Sequence, residues 1–264
     1  MKLFFRKYGE GEPVVILHGI FGLSDNWATI GRRLAERFEV YIPDQRNHGQ
    51  SPHSDTFNYY ALTDDLTGFL DDRQIMKATL IGHSMGGKVA MNFALERPSR
   101  VDRLVVIDIS TRKYPGRQQH IEILNTMMSV DFDKVETRED IEKMIAGKIP
   151  SERIRQFILK NVYRLGKKRL AWRLNAGAIY DNLENVFEGI ASPLKFNKPA
   201  LFIKGGRSEY ITREDYELIR KNFPAAEFRV IEQASHWIHA DAPDELCTIL
   251  SDYLGKECEF RPGN

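Results

Sequence analysis

The chain has 264 residues, long enough to bury one full core, and this size favours one domain with an insertion over two independent domains. Its 38 basic and 37 acidic residues leave a formal net charge of +1, which argues against a dedicated binder of nucleic acid or of a membrane surface. Two cysteines, Cys247 and Cys258, signal no disulfide framework and fit a reducing compartment. The opening "MKLFFRKYGEGEP" has too few apolar residues before Arg6 for a secretory signal, and no run approaches a membrane span, so the cytoplasm is the expected location.

In chain order, short runs rich in β-branched and aromatic residues occur at 2–6, 13–18, 39–43, 78–82, 103–108, 200–204 and 227–232. Gly, Pro, Asp or charged residues bound each of them, as they bound strands. The later runs are apolar almost throughout, which suits a sheet covered on both faces. Helical patterns lie between them. Leu62, Leu66, Phe69 and Leu70 recur at helical spacing, Val89 and Phe93 mark a second face, and Leu246, Ile249, Leu250 and Tyr253 a third, with Asp241 as its expected N-cap and Pro243 in its first turn. This alternation predicts an α/β fold with a mostly parallel, doubly wound sheet.

From about Arg112 to Asn197 the alternation stops. Helical patterns replace it, at Ile121, Leu124 and Met128, at Ile141, Met144 and Ile145, and at Ile154, Phe157 and Ile158, with no convincing strand. The expected organisation is a core of residues 1–111 and 198–264 with a helical cap, 112–197, over the C-terminal edge of the sheet, where open α/β folds bind ligands.

The pattern Gly82-His83-Ser84-Met85-Gly86 falls between a predicted strand and a predicted helix. Such a turn presents a serine Oγ at a helix N-terminus above the sheet, so Ser84 is the candidate nucleophile; the alternative is a helix cap in a glycine-bounded turn. A serine hydroxyl needs a base near it, usually histidine. Of seven histidines only His236 and His239 follow the last predicted strand, and His236 lies in the loop before the final helix.

Taken together, "VILHGIFG" (15–22), "IPDQRNHGQS" (42–51), "LIGHSMGGKVA" (80–90), "VVIDIS" (105–110), "LFIKGGRSEYI" (201–211) and "ASHWIHADAP" (234–243) resemble the α/β-hydrolase superfamily over nearly the whole chain. Within it they look most like bacterial esterases and thioesterases of the YbfF type, relatives of the abhydrolase-domain proteins. The resemblance implies His236, rather than His239, as the base. It also implies an oxyanion hole from the amides of Ile20 and Met85, with Phe21 as the fallback for the first. His18 reads as a brace for the turn, and Asp44, Arg46 and His48 as shapers of their loop.

Two residues compete for the acid. Glu209 occupies the neighbourhood after the penultimate strand where many superfamily members carry an aspartate. Asp108 ends an apolar run beside the nucleophile strand, where a carboxylate is desolvated and needs a partner; it also matches the position used by the resembled esterases.

The segment Arg153–Arg173 holds eight Lys or Arg and no acidic residue. It reads as a solvated helical face, or as a mouth for a carboxylate or the phosphates of an acyl-CoA. Candidates for the acyl side are Phe21, Trp27, Met85 and Trp237, with Phe157, Tyr163 and Trp172 from the cap. The leading reading is a serine hydrolase of small-molecule esters or thioesters, with no metal, organic cofactor, nucleic-acid or membrane partner. A lyase of the menaquinone-pathway type using the same triad as a base, and a non-catalytic binding protein on the same scaffold, are the alternatives.

Overall fold

The computed structural model describes residues 1–116, 118–166 and 169–255. Lys167 and Lys168 of the basic run, and Cys258, lie outside the described residues.

The first half of the chain forms β1 (Phe5–Tyr8), β2 (Glu12–Leu17), α1 (Ala28–Leu34), β3 (Phe38–Pro43), α2 (Tyr59–Asp72), β4 (Ala78–His83), α3 (Met85–Glu96) and β5 (Val101–Ile107). The segment that follows carries α4 (Gln118–Met128), α5 (Arg138–Ala146), α6 (Glu152–Leu159), β6 (Val162–Leu165), β7 (Arg169–Trp172), α7 (Ala176–Asp181) and α8 (Leu183–Phe187). The chain then returns through β8 (Ala200–Gly205), α9 (Asp215–Asn222), β9 (Ala226–Ile231), α10 (Ile238–Asp241) and α11 (Pro243–Gly255).

Seven strands form one sheet in the order β1-β3-β2-β4-β5-β8-β9, parallel except for the antiparallel edge strand β1. The strand alternation places Val14 and Ile16 in one apolar layer with α1 and α11, and Val15 and Leu17 in the opposite layer with α2 and α3. Burial on both faces explains why β4, β5 and β8 read as continuous apolar runs. All the predicted core strands are present. The first lies C-terminal to the predicted run at 2–6, because Leu3 and Phe4 dock on the loop after β3: the Phe4 amide donates to Ser51 Oγ and its carbonyl accepts from Asp44 N. No described helix is long and apolar enough to cross a membrane.

Three local expectations are corrected. The insertion between β5 and β8 includes a hairpin, β6 against β7, pairing Val162 with Trp172 and Leu165 with Arg169. Helix α4 buries Ile123, Leu124 and Met127, so its apolar stripe is turned by one residue from the expected one and Met128 is exposed, as Met144 is on α5. Asp241 ends α10, and its carboxylate accepts from Ser235 N and Oγ and pairs with Arg153; it is therefore committed elsewhere and does not cap α11.

Lys88 on α3 fastens the insertion. Its fully buried side chain donates from Nζ to the carbonyl of Arg112 (2.7 Å) and to that of Glu188, near the two ends of the inserted segment. Burial, and secondarily the charge of Arg112, lower its pKa from 10.5 to about 7. Between these values the unfolded chain binds more protons than the folded one, so stability rises with pH across the window. In urea unfolding the wild type is expected to gain stability relative to Lys88→Met between about pH 7 and pH 9. Parallel pH profiles for the two proteins would contradict this account of the lysine.

Candidate active site

The C-terminal ends of β2, β4, β5, β8 and β9 bring the separate motifs together. Ser84 lies between β4 and α3 with φ 53° and ψ −121°, a region that side-chain-bearing residues rarely occupy. Packing holds it there. A Cβ at Gly82 would lie 2.3 Å from the Gly86 carbonyl oxygen, and one at Gly86 would lie 2.3 Å from that of Leu17. Both glycines are thus needed for the tight passage of strand into helix. The Ser84 amide donates to the Ile107 carbonyl (3.0 Å), which ties the turn to β5.

His236, in the loop after β9, has Nε2 3.1 Å from Ser84 Oγ and Nδ1 2.7 Å from Asp108 Oδ2. Asp108 is fully buried just past β5, at φ 50°. Its Oδ1 accepts from Gly205 N (3.0 Å), while Oδ2 accepts from Ser208 Oγ as well as facing His236. Both oxygens of this carboxylate thus meet donors, as burial of a charged group requires. Glu209 is exposed and lines the cavity; among the described residues its backbone carbonyl, not its carboxylate, accepts a hydrogen bond, from Arg112.

Two supports of His236 went unnoticed in the sequence. The Tyr210 ring stacks on the imidazole, with centroids 3.8 Å apart and planes at 18°. His83 donates from Nε2 to the His236 carbonyl (2.8 Å), and burial holds its pKa well below the ordinary imidazole value, so it acts as a neutral brace. Its position beside Ser84 at a strand end was a usable signal; the stacking of Tyr210 had none. His239 stacks on Trp27 at 4.6 Å, and burial drives its pKa to about 3, so it too is neutral.

The loop after β2 runs against Ser84: a Cβ on Gly19 would lie 3.1 Å from Ser84 Cβ. The Phe21 amide is occupied, donating to His48 Nε2 (3.2 Å), which removes the fallback oxyanion donor. The amides of Ile20 and Met85 have no internal acceptor among the described residues. His18 takes the Gln45 amide on Nε2 and donates from Nδ1 to Gly19 O, and Asp44 accepts from the amides of Ser24 and Gln50. Arg46 pairs with buried Asp65 at 2.5 Å. These groups shape the two loops.

A cavity of about 440 Å³ opens over Ser84. Ile20, Phe21, Trp27, Phe157 and Trp237 line it, together with Ile123 and Ile154 from the insertion. Tyr163 and Trp172 do not. Their hairpin packs away from the cavity: Tyr163 lies under the Arg173 guanidinium (4.8 Å), and Trp172 packs edge-on to Phe132 and donates from Nε1 to the Met127 carbonyl. Of the described cations in the basic run, only Arg153 reaches this cavity, over the Trp237 ring and paired with Asp241. Among the described residues no cluster of His, Cys, Asp or Glu is arranged to hold a metal ion.

A sequence profile of the alpha/beta hydrolase fold matches residues 12–243. The chain belongs to the α/β-hydrolase family. This α/β-hydrolase is 37% identical over 252 residues to the sn-1-specific diacylglycerol lipase ABHD11 of Danio rerio, covering 93% of this chain and 79% of that one. It is 36% identical over 245 residues to esterase YbfF of Escherichia coli K12, covering 93% and 94%. A solved marine microorganism esterase superposes with a TM-score of 0.92 at 39% identity, covering 96% of this chain and 99% of that chain. The α/β-hydrolase is thus an enzyme of the esterase and lipase type.

Proposed function

We propose that the protein hydrolyses carboxylic esters of small molecules, and acyl thioesters such as acyl-CoA, through an acyl-enzyme on Ser84. The observation that carries this reading is the continuous contact from buried Asp108 through His236 to Ser84 Oγ. Residues 112–197 act as a cap on a core of 1–111 and 198–264.

In the proposed cycle Ser84 Oγ attacks the acyl carbon while His236 Nε2 takes the hydroxyl proton. Asp108 keeps the imidazole in the tautomer with Nδ1 protonated and stabilises the imidazolium. The amides of Ile20 and Met85 receive the negative charge on the former carbonyl oxygen, helped by the N-terminal end of α3. His236 returns the proton to the leaving alcohol or thiol. Water, deprotonated by the same histidine, then attacks the acyl-enzyme, and collapse of the intermediate restores Ser84 and releases the acid.

The cavity supports an extended acyl chain. Gln119, Ile123, Ser151 and Ile154 line both the main cavity and a side pocket of about 250 Å³ between α4 and α6, whose wall adds Ile149, Pro150, Glu122 and Lys148. A largely apolar branch of this kind fits hydrocarbon. The name of the fish relative, a diacylglycerol lipase, points to acyl esters as well.

With a nitrophenyl ester, Ser84→Ala is expected to lower kcat on the order of 10⁶-fold, the scale for loss of a serine nucleophile. Asp108→Asn is expected to lower it by about 10⁴, the scale for a mis-set histidine tautomer, while Glu209→Gln stays close to wild type. Loss on Glu209→Gln with retention on Asp108→Asn would reverse the assignment of the acid. Ile154→Trp, which fills the branch, is expected to cut kcat/KM for a decanoyl ester by about tenfold, or about 1.4 kcal/mol, and to leave an acetyl ester near wild type. Equal effects on both esters would remove the branch from the acyl path.

A further inference from the structure

Apart from Arg153, the described cations of the basic run do not line the Ser84 cavity. Lys160, Arg164 and Arg173 line a different cleft, of about 400 Å³, which shares no lining residue with it. The loop after β2 separates the two: Gly19–Gly22 face the Ser84 cavity, and Leu23, Ser24 and Asp25 face the basic cleft. Arg6 from β1 and Arg138 from α5 complete a ring of five cationic side chains.

The two carboxylates in the walls, Asp25 and Asp44, offset only part of the charge of these five cations. Asp25 is paired with Arg6 at 3.2 Å, and Asp44 is held by the backbone amides of Ser24 and Gln50. Arg138 donates to the Val162 carbonyl, which carries no compensating charge. Lys160, Arg164 and Arg173 have no ion-pair partner among the described residues. A run of like charge usually spreads over a solvated face. Here the cations converge, from separate elements, on one concave space in a chain of net charge +1. Arg173 is also held in place, its guanidinium over the Tyr163 ring and its backbone carbonyl bonded by His53 Nε2.

We propose that this cleft is a second ligand site, separate from the Ser84 cavity, for a multiply charged phosphate group. Arginine forks match the oxygens of phosphate in pairs, and lysine adds a point charge. A single carboxylate would leave most of the ring uncompensated. The volume lies in the range of small-molecule sites and exceeds what one inorganic ion fills. The phosphate belongs either to a soluble small molecule or to a lipid headgroup, and the two sources separate experimentally.

The test titrates the full chain with sodium pyrophosphate calorimetrically at low ionic strength, and sediments it with phosphatidylcholine vesicles with and without phosphatidic acid. The proteins compared are wild type, Arg164→Ser/Arg173→Ser, Lys160→Gln, and Arg220→Ser/Arg229→Ser, which removes the same charge from an exposed site elsewhere. Nitrophenyl acetate turnover verifies that each variant is folded. Saturable pyrophosphate binding, weakened at least about tenfold (about 1.4 kcal/mol) in the cleft variants and unchanged in the Arg220/Arg229 control, supports a soluble ligand. Phosphatidic-acid-dependent sedimentation lost only in the cleft variants supports a headgroup. Absence of binding in both assays overturns the proposal, as does an equal loss in the cleft and control variants, which would reduce the effect to net charge.

Discussion

A carboxylate with no exposure to water must be answered by donors, and Asp108 organises the site because its donors come from different parts of the chain. Gly205 and Ser208 supply the end of β8 and the turn beyond it, and His236 supplies the loop after β9. Removing one partner of a buried charged pair typically costs about 3–5 kcal/mol. The requirement to satisfy Asp108 therefore fixes two loops that are far apart in sequence, and fixes the imidazole against Ser84. Tyr210 stacked on one side and His83 bonded to the backbone carbonyl narrow the remaining freedom of His236.

The opposite wall follows from close packing of backbone. Gly82 and Gly86 let α3 approach β2 and β4 nearer than any side chain would allow, and the strained Ser84 conformation persists because that contact over-determines it. The His48 bond occupies the Phe21 amide, while the Ile20 amide has no internal acceptor among the described residues. Preorganisation of this kind is what the proposed acyl transfer needs: donors held in place before charge develops do not have to reorganise when it does.

Much of the core was legible because both faces of the sheet are buried, so the strands stand out as apolar runs bounded by turns. Ser84 was legible from its glycines, and Asp108 from the mismatch of a carboxylate ending an apolar strand. The insertion was less so. Its hairpin strands have four residues each, too short for alternation to compete with the neighbouring helical spacing, though the Gly between them was a hint. The placement of Tyr163 and Trp172 away from the cavity depends on how that hairpin packs, which residue type does not encode. The same holds for Tyr210, whose role arises from stacking across the fold, and for Lys88, which reads as a surface cation on a helix until both ends of the insertion close over it.

Asp108, acting through His236, is proposed to make Ser84 the reactive group of this enzyme. Peptide mapping by mass spectrometry after treatment with a fluorophosphonate measures this directly. The expected result is one adduct, on Ser84, whose rate of formation collapses in Asp108→Asn. An adduct on another residue, or an unchanged rate in that variant, would contradict it.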